Sequence, residues 1–148
     1  MVFGSNGPYK SNWSTDFPTW RCSIDNNFAL IYTYGAPITN DLNNWVLCAV
    51  DSNFPLENGL HTLRVDVVVR NQQTFWFDML QFVPTQDVRL VESILRIDAL
   101  DPAIANSAGW QTLNQSTLRA YGDYEKFFGT TIYTNVAGGW LTLNFTGS

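Results

Sequence analysis

His61 is the only histidine in the chain, so acid–base or nucleophilic chemistry near neutral pH would have to be built on it or on carboxylates. A serine- or cysteine-type nucleophile needs an adjacent base that a third group holds in place. His61 lies in Gly59-Leu-His-Thr-Leu63, where neither a nucleophile nor a partner is evident, and it reads as a satisfied histidine at a strand edge. A glycosidase would need two carboxylates across a cleft. Asp25, Asp51, Asp66, Asp78, Asp98, Asp101, Asp123 and Glu125 are present, but their spacing along the chain pairs no two of them. Asp78, set among Phe75, Trp76 and Phe77, reads as a hydrogen-bonding group, with a hydrolase built on it and a second acid as the rival.

Metal chemistry has equally thin material. Asp98 and Asp101 stand three apart before Pro102, and carboxylates beside backbone carbonyls can hold calcium. The competing role for both is capping a loop. One histidine and two cysteines suited to a disulfide do not make a zinc or copper site. No catalytic residue and no cofactor is therefore expected.

Aromatic side chains are what the chain has in quantity, with six Trp, six Tyr and ten Phe. Flat rings that stack on sugar faces while polar edges take hydrogen bonds are the physical basis of carbohydrate recognition. Trp20, Trp45, Trp76 and Trp140 fall in expected strands and read as packing residues. Tyr9, Trp13, Tyr32, Tyr34, Trp110 and Tyr121 lie nearer turns and are the carbohydrate-binding candidates. Asn26, Asn27, Asn40, Asn43 and Asn44 could add polar contacts, although turn formation alone explains them.

The elements that would position these residues are strands. Leu63, Val65, Val67 and Val69 alternate with Arg64, Asp66, Val68 and Arg70, and Leu141, Leu143 and Phe145 alternate with Thr142 and Asn144. Thr74 to Val83 is a further apolar run, expected to pair antiparallel with Leu63 to Val69 through a hairpin at Asn71 to Gln73. Further strands are expected at Trp20 to Ile24, Phe28 to Thr33, Trp45 to Val50, Val88 to Ile97, Leu118 to Tyr121 and Phe128 to Tyr133. Met1 to Pro18 reads as a short strand and a long surface loop. Helix should be minor, with a turn or two within Asp41 to Val50 at most. Short strands separated by turn clusters such as Asn53 to Gly59 and Asp101 to Gly109 predict an all-β fold, an antiparallel β-sandwich, in one domain over residues 1–148.

A chain of 148 residues can bury roughly 70% of its unfolded surface, enough for an unaided core. With 45% apolar and 14% charged residues it is far from the composition of disordered chains. The net charge is −5 and the basic residues are scattered singly, so nucleic acid is not an expected partner. No apolar stretch reaches the roughly 20 residues of a membrane span, and this segment is expected to make no membrane contact. Cys22 and Cys48, the only two cysteines, lie in expected strands and should form a disulfide worth about 3.5 kcal/mol, the alternative being two buried thiols. The disulfide implies an oxidising, extracellular location. Asn12, Asn114 and Asn144 each head a glycosylation triplet, which fits secretion, although a composition rich in Asn, Ser and Thr yields such triplets by chance.

Several segments together resemble a family of secreted or membrane-anchored β-sandwich domains of mushroom-forming fungi. They are Trp20-Arg-Cys-Ser-Ile-Asp25, Asn44-Trp-Val-Leu-Cys48, Gly59-Leu-His-Thr-Leu63, Thr74-Phe-Trp-Phe-Asp78, Ile97-Asp-Ala-Leu-Asp-Pro102, Gly109-Trp110 and Asn144-Phe-Thr-Gly147. Their order is rotated relative to the family: residues 1–83 resemble the second half of such a domain and residues 90–148 the first. Ala99 stands where the family often has a second acid beside Asp98. Either one sandwich is circularly permuted, its ends adjacent, or two half-domains come from a tandem array. The resemblance implies a galactose-binding-like jelly roll, a fold that often carries carbohydrate-binding modules. The functional expectation is a secreted, non-catalytic, lectin-like module with a glycan as partner. The alternative is a small interaction subunit of a larger secreted fungal enzyme such as a laccase, or a self-associating cell-wall protein, whose partner is protein.

Overall fold

The computed structural model describes residues 1–5, 18–33, 45–51, 53, 56–70, 73–84, 94–114 and 130–147. Its strands are β1 (Val2–Ser5), β2 (Thr19–Ile24), β3 (Ile31–Thr33), β4 (Trp45–Val50), β5 (Gly59–Val68), β6 (Phe75–Phe82), β7 (Leu95–Asp98), β8 (Ile104–Asn106), β9 (Trp110–Asn114), β10 (Thr130–Thr134) and β11 (Trp140–Gly147). One sheet runs β3-β4-β1-β6-β10-β9 with β7 on the free half of β6, and the other runs β2-β5-β11-β8. Every ladder is antiparallel, and the described residues contain no helix. The protein is an antiparallel β-sandwich.

Alternation decides which face of each strand is buried. Leu63, Val65 and Val67 on β5 face inward beside Leu141, Leu143 and Phe145 on β11, and both sets are buried. From the opposite sheet Val2, Leu47, Phe75 and Phe77 meet them in one continuous core. Each such side chain contributes about 1.5–3 kcal/mol by leaving water. Several ties join the sheets, among them Cys22 N–H to Thr33 Oγ1 at 3.3 Å and the Pro84–Gly147 bridge. A Cys22–Cys48 disulfide links β2 to β4 across a Cα–Cα distance of 6.4 Å, and the Trp20 indole N–H donates to the Leu47 carbonyl at 3.0 Å.

The expected hairpin between Leu63–Val69 and Thr74–Val83 does not form. β5 is paired on both sides, by β2 and β11, while β6 lies in the other sheet between β1 and the pair β10 and β7. The connection is an arch from one sheet to the other, closed by Gln73 N–H to the Arg70 carbonyl at 2.9 Å and Arg70 N–H to Gln73 Oε1 at 2.8 Å. Each strand has one apolar face, and stacking those faces buries Val65 and Val67 with Phe75 and Phe77. A side-by-side hairpin would have left that burial to other strands.

Other boundaries also move. Residues 45–50, given a turn or two of helix as an option, are strand β4. Of Phe28 to Thr33 only Ile31–Thr33 is extended, because Asp25 and Asn26, at φ 51° and 62°, fold a tight two-residue turn that pairs Ile24 with Asn27. β8 and β9 fall in and just after the region expected to be turns. Leu118 to Tyr121 and most of Val88 to Ile97 lie outside the described residues.

β1 is flanked by two irregularities at the same level. Its register skips Leu47 in β4 and Asp78 in β6, so each neighbour carries a β-bulge. The Leu47 carbonyl at one bulge is the acceptor of the Trp20 bond. At the other, Asp78 is fully buried and accepts the Thr131 hydroxyl at 2.7 Å, while its carbonyl accepts Ala99 N–H at 3.1 Å. Asp78 thus pins the point where β6 changes partner from β10 to β7. Met1 pairs with Gln81, and Gly147 bridges Pro84, so both of these residues sit against one four-residue stretch. No helix among the described residues is long and apolar enough to cross a membrane.

Candidate ligand-binding face

The outer face of the four-stranded sheet gathers one group of polar and aromatic side chains held by strands; another, Trp76, Tyr133 and Gln111, lies on the seven-stranded sheet. It follows from the same alternation: with Leu63, Val65 and Val67 inward, Thr62, Arg64 and Asp66 point out, and with Leu141 and Leu143 inward, Trp140, Thr142 and Asn144 do too. The register aligns them in rows. Arg21, Asp66 and Trp140 form one row, Arg64 and Thr142 the next, in register with the buried Ser23, and Thr62 with Asn144 a third.

Their contacts hold these side chains in place. Arg64 donates to both carboxylate oxygens of Asp66 through Nε, at 2.9 and 3.0 Å, and through Nη2 at 2.7 Å. The same guanidinium lies 5.1 Å from the Trp140 ring centroid, and Arg21 rests 3.6 Å over the ring of Phe28. Thr62 Oγ1 donates to Asn144 Oδ1 at 2.8 Å. The face carries one ion pair, one further guanidinium and fixed hydrogen-bonding groups beside two rings, an arrangement suited to a hydroxyl-rich ligand.

At the start of β5, in the inward phase and 5.6 Å from the Phe145 ring, His61 forms a closed polar unit. Its Nδ1 lies 2.7 Å from Asp25 Oδ2 and its Nε2 2.8 Å from the Glu57 carbonyl, while Asp25 Oδ1 accepts Thr62 N–H at 2.8 Å. Two acceptors around one imidazole are both satisfied only when both nitrogens carry protons. The side chain is 12% exposed, so burial opposes its charge, but the Asp25 carboxylate and the Glu57 carbonyl outweigh that and raise the pKa above 6.5. Hydrogen bonds from His61 and Thr62 hold the Asp25 carboxyl below its ordinary 3.8.

The signs give a stability window. The His61 contribution is complete below pH 6.5 and is lost as pH rises through its folded value; the Asp25 contribution is present above pH 3.8 and is lost as pH falls through its own. Because the chain has one histidine, its proton NMR titration needs no assignment. A midpoint above 6.5 that drops in Asp25→Asn is expected; a midpoint at or below 6.5 in the unmodified protein contradicts the arrangement.

The two carboxylates weighed for calcium are engaged with the chain itself. Asp98 accepts Leu100 N–H at 2.8 Å and the Thr130 hydroxyl at 2.6 Å, and Asp101 accepts Ala103 N–H at 2.8 Å. These are turn-capping bonds. Among the described residues no group of three or more His, Cys, Asp or Glu side chains is placed to hold a metal.

The turn aromatics fall mostly elsewhere. Tyr9, Trp13, Tyr34 and Tyr121 lie outside the described residues, and Tyr32 is described only by its backbone in β3. Trp110 is half-buried on β9, edge-on to Phe75 at 6.2 Å, on the seven-stranded sheet. Asn12 lies outside the described residues, Asn114 ends β9, and Asn144 is exposed on the candidate face. Of the tryptophans read as packing residues, Trp20 is buried, Trp45 packs against the core, Trp76 pairs with Tyr133 at 4.9 Å, and Trp140 is on the candidate face. A signal for Trp140 was present in the alternation: it occupies the polar phase of a strand whose apolar phase is Leu141, Leu143 and Phe145. Arg64 and Asp66 carry the same mark, in the polar phase between Leu63, Val65 and Val67, whereas Arg21 and Phe28 carry none.

Comparison with known proteins returns no match of any kind: no protein-family model, no curated protein and no solved structure matches this chain.

Proposed function

We propose that this protein is a secreted, non-catalytic carbohydrate-binding module that holds a neutral glycan on the outer face of its four-stranded sheet. The observation that carries the reading is the row Arg21, Asp66, Trp140 with Arg64 stacked above the indole: a ring edge and a hydrogen-bonding fork, both held by strands before any ligand arrives. The resemblance to galactose-binding-like fungal domains points the same way, and the Cys22–Cys48 disulfide fits an extracellular setting. His61 supports binding rather than turnover, since both its nitrogens are engaged by Asp25 and Glu57.

A glycan array probed with the monomer and with a multivalent form tests this. Saturable binding to a neutral glycan is expected, weakened at least about tenfold in Trp140→Ala and in Arg64→Ala, as the loss of one stacked ring or charged fork implies. Absence of saturable binding at millimolar ligand would sink the proposal. The interaction-subunit alternative has one observation in its favour: Leu60, 76% exposed, and Val68, 45% exposed, flank the same face on β5. Co-purification of a fixed protein partner from the native source, with no glycan binding, would select it.

A further inference from the structure

Between the sheets, at the end where Met1 meets Gln81, the described side chains do not fill the core. A cavity of about 290 Å³ opens there, walled by Ile24, Leu63 and Leu143 from one sheet and Val2, Ile31 and Leu80 from the other. Among the described residues Gln81 is the one polar side chain along its lining and none of the lining side chains is charged; the α-amino group of Met1, which belongs to the wall, donates to the Gln81 carbonyl and is pushed down to a pKa of about 6 by burial. Three lining residues, Met1, Val83 and Ile94, are also among the large apolar side chains left exposed, at 46%, 43% and 52%. An apolar interior thus continues into an apolar rim.

From this we infer a second binding site, for the uncharged aliphatic portion of a small molecule inserted between the sheets. An apolar cavity of this kind excludes water yet accepts apolar guests. Its size lies at the lower edge of ligand pockets, roughly 300 Å³ and upward. At about 30 Å³ per small group it holds a chain of roughly ten heavy atoms. The apolar side chains of the described lining select against ionised or doubly polar guests, because a polar group carried among Ile24, Leu63 and Leu143 would lose its water without gaining a partner. The site is separate from the sheet face assigned to glycan, so either can fail without the other.

The probe is 1-octanol, uncharged and close to the cavity in size, followed by titration calorimetry and by the methyl resonances of Ile24, Leu63 and Leu143. One-to-one saturable binding with shifts at those methyls is expected, and 1,8-octanediol should bind at least about tenfold more weakly because one hydroxyl must be buried. Ala49→Phe, which places a ring in the cavity, should abolish the binding. If that variant misfolds, Ile94→Glu at the rim should weaken octanol binding by a similar factor, while Leu60→Ser, remote from the lining, should leave it unchanged. No saturable binding, equal affinity for the diol, or methyl shifts away from the lining would each overturn the inference.

Discussion

Removing the disulfide with Cys22→Ala and Cys48→Ala together is expected to cost about 3.5 kcal/mol and to lower the melting temperature by roughly 10 °C. The bridge spans 26 residues of sequence and ties edge strand β2 of one sheet to β4 of the other. In the unfolded chain it removes the freedom of that loop. In the folded protein it joins two layers that otherwise meet through side-chain packing, the Trp20 to Leu47 and Cys22 to Thr33 bonds, and the Pro84–Gly147 bridge. Both cysteines are buried, at 1% and 0% exposure, so the alanines also leave small voids, which push the effect in the same direction. Thermal and urea unfolding of the double variant measure it. A shift of less than about 2 °C would mean that the two sheets are held by other contacts.

Gly4→Ala is expected to be nearly as damaging, at about 3 kcal/mol, although it adds a single methyl group. A Cβ at Gly4 would lie 2.3 Å from the Trp76 carbonyl oxygen and 2.7 Å from Leu47 Cδ1. Leu47 can turn aside, but the carbonyl belongs to the β6 backbone that pairs with β1, so relief requires the strands to part. The position is crowded because bulges at Leu47 and Asp78 draw both neighbours in on β1. Gly138→Ala is the matched control. Nothing lies within 4 Å of a Cβ there, and its φ of +77° costs only about 1–2 kcal/mol. Chemical denaturation should rank Gly4→Ala well below Gly138→Ala; the reverse order would contradict the bulged packing around β1.

The parts of the fold legible in sequence were those where a local pattern is also the structural cause. β2, β4 and β11 follow their predicted runs closely, because an alternating or apolar run can bury its face in only one way. The pattern fixes a face, not a neighbour, and so β5 and β6 were expected side by side when they lie in opposite sheets. β8 and β9 were missed because they are short and lie in or just after a run of Asp, Asn and Gly; β11 and β10 hold them extended through pairing. The disulfide was readable because two cysteines allow one pairing.

The candidate face was less legible. Loop aromatics attract attention in a sequence, whereas Arg21, Phe28, Arg64, Asp66 and Trp140 come together only through the register of β2, β5 and β11. Even there, three residues could have been placed, Arg64 and Asp66 from the polar phase of β5 and Trp140 from that of β11. Trp140 stands in phase with Thr142 and Asn144, and that phase faces outward.

The central claim is that a neutral glycan is held on the outer face of the four-stranded sheet, and a nitrogen- and carbon-resolved NMR titration with the best array hit tests it most directly. Shifts concentrated on Arg21, Arg64, Asp66, Trp140, Thr142 and Asn144, with Trp20 and Trp45 unmoved, are predicted. Shifts confined to other surfaces, or spectra unchanged at millimolar glycan, would contradict it.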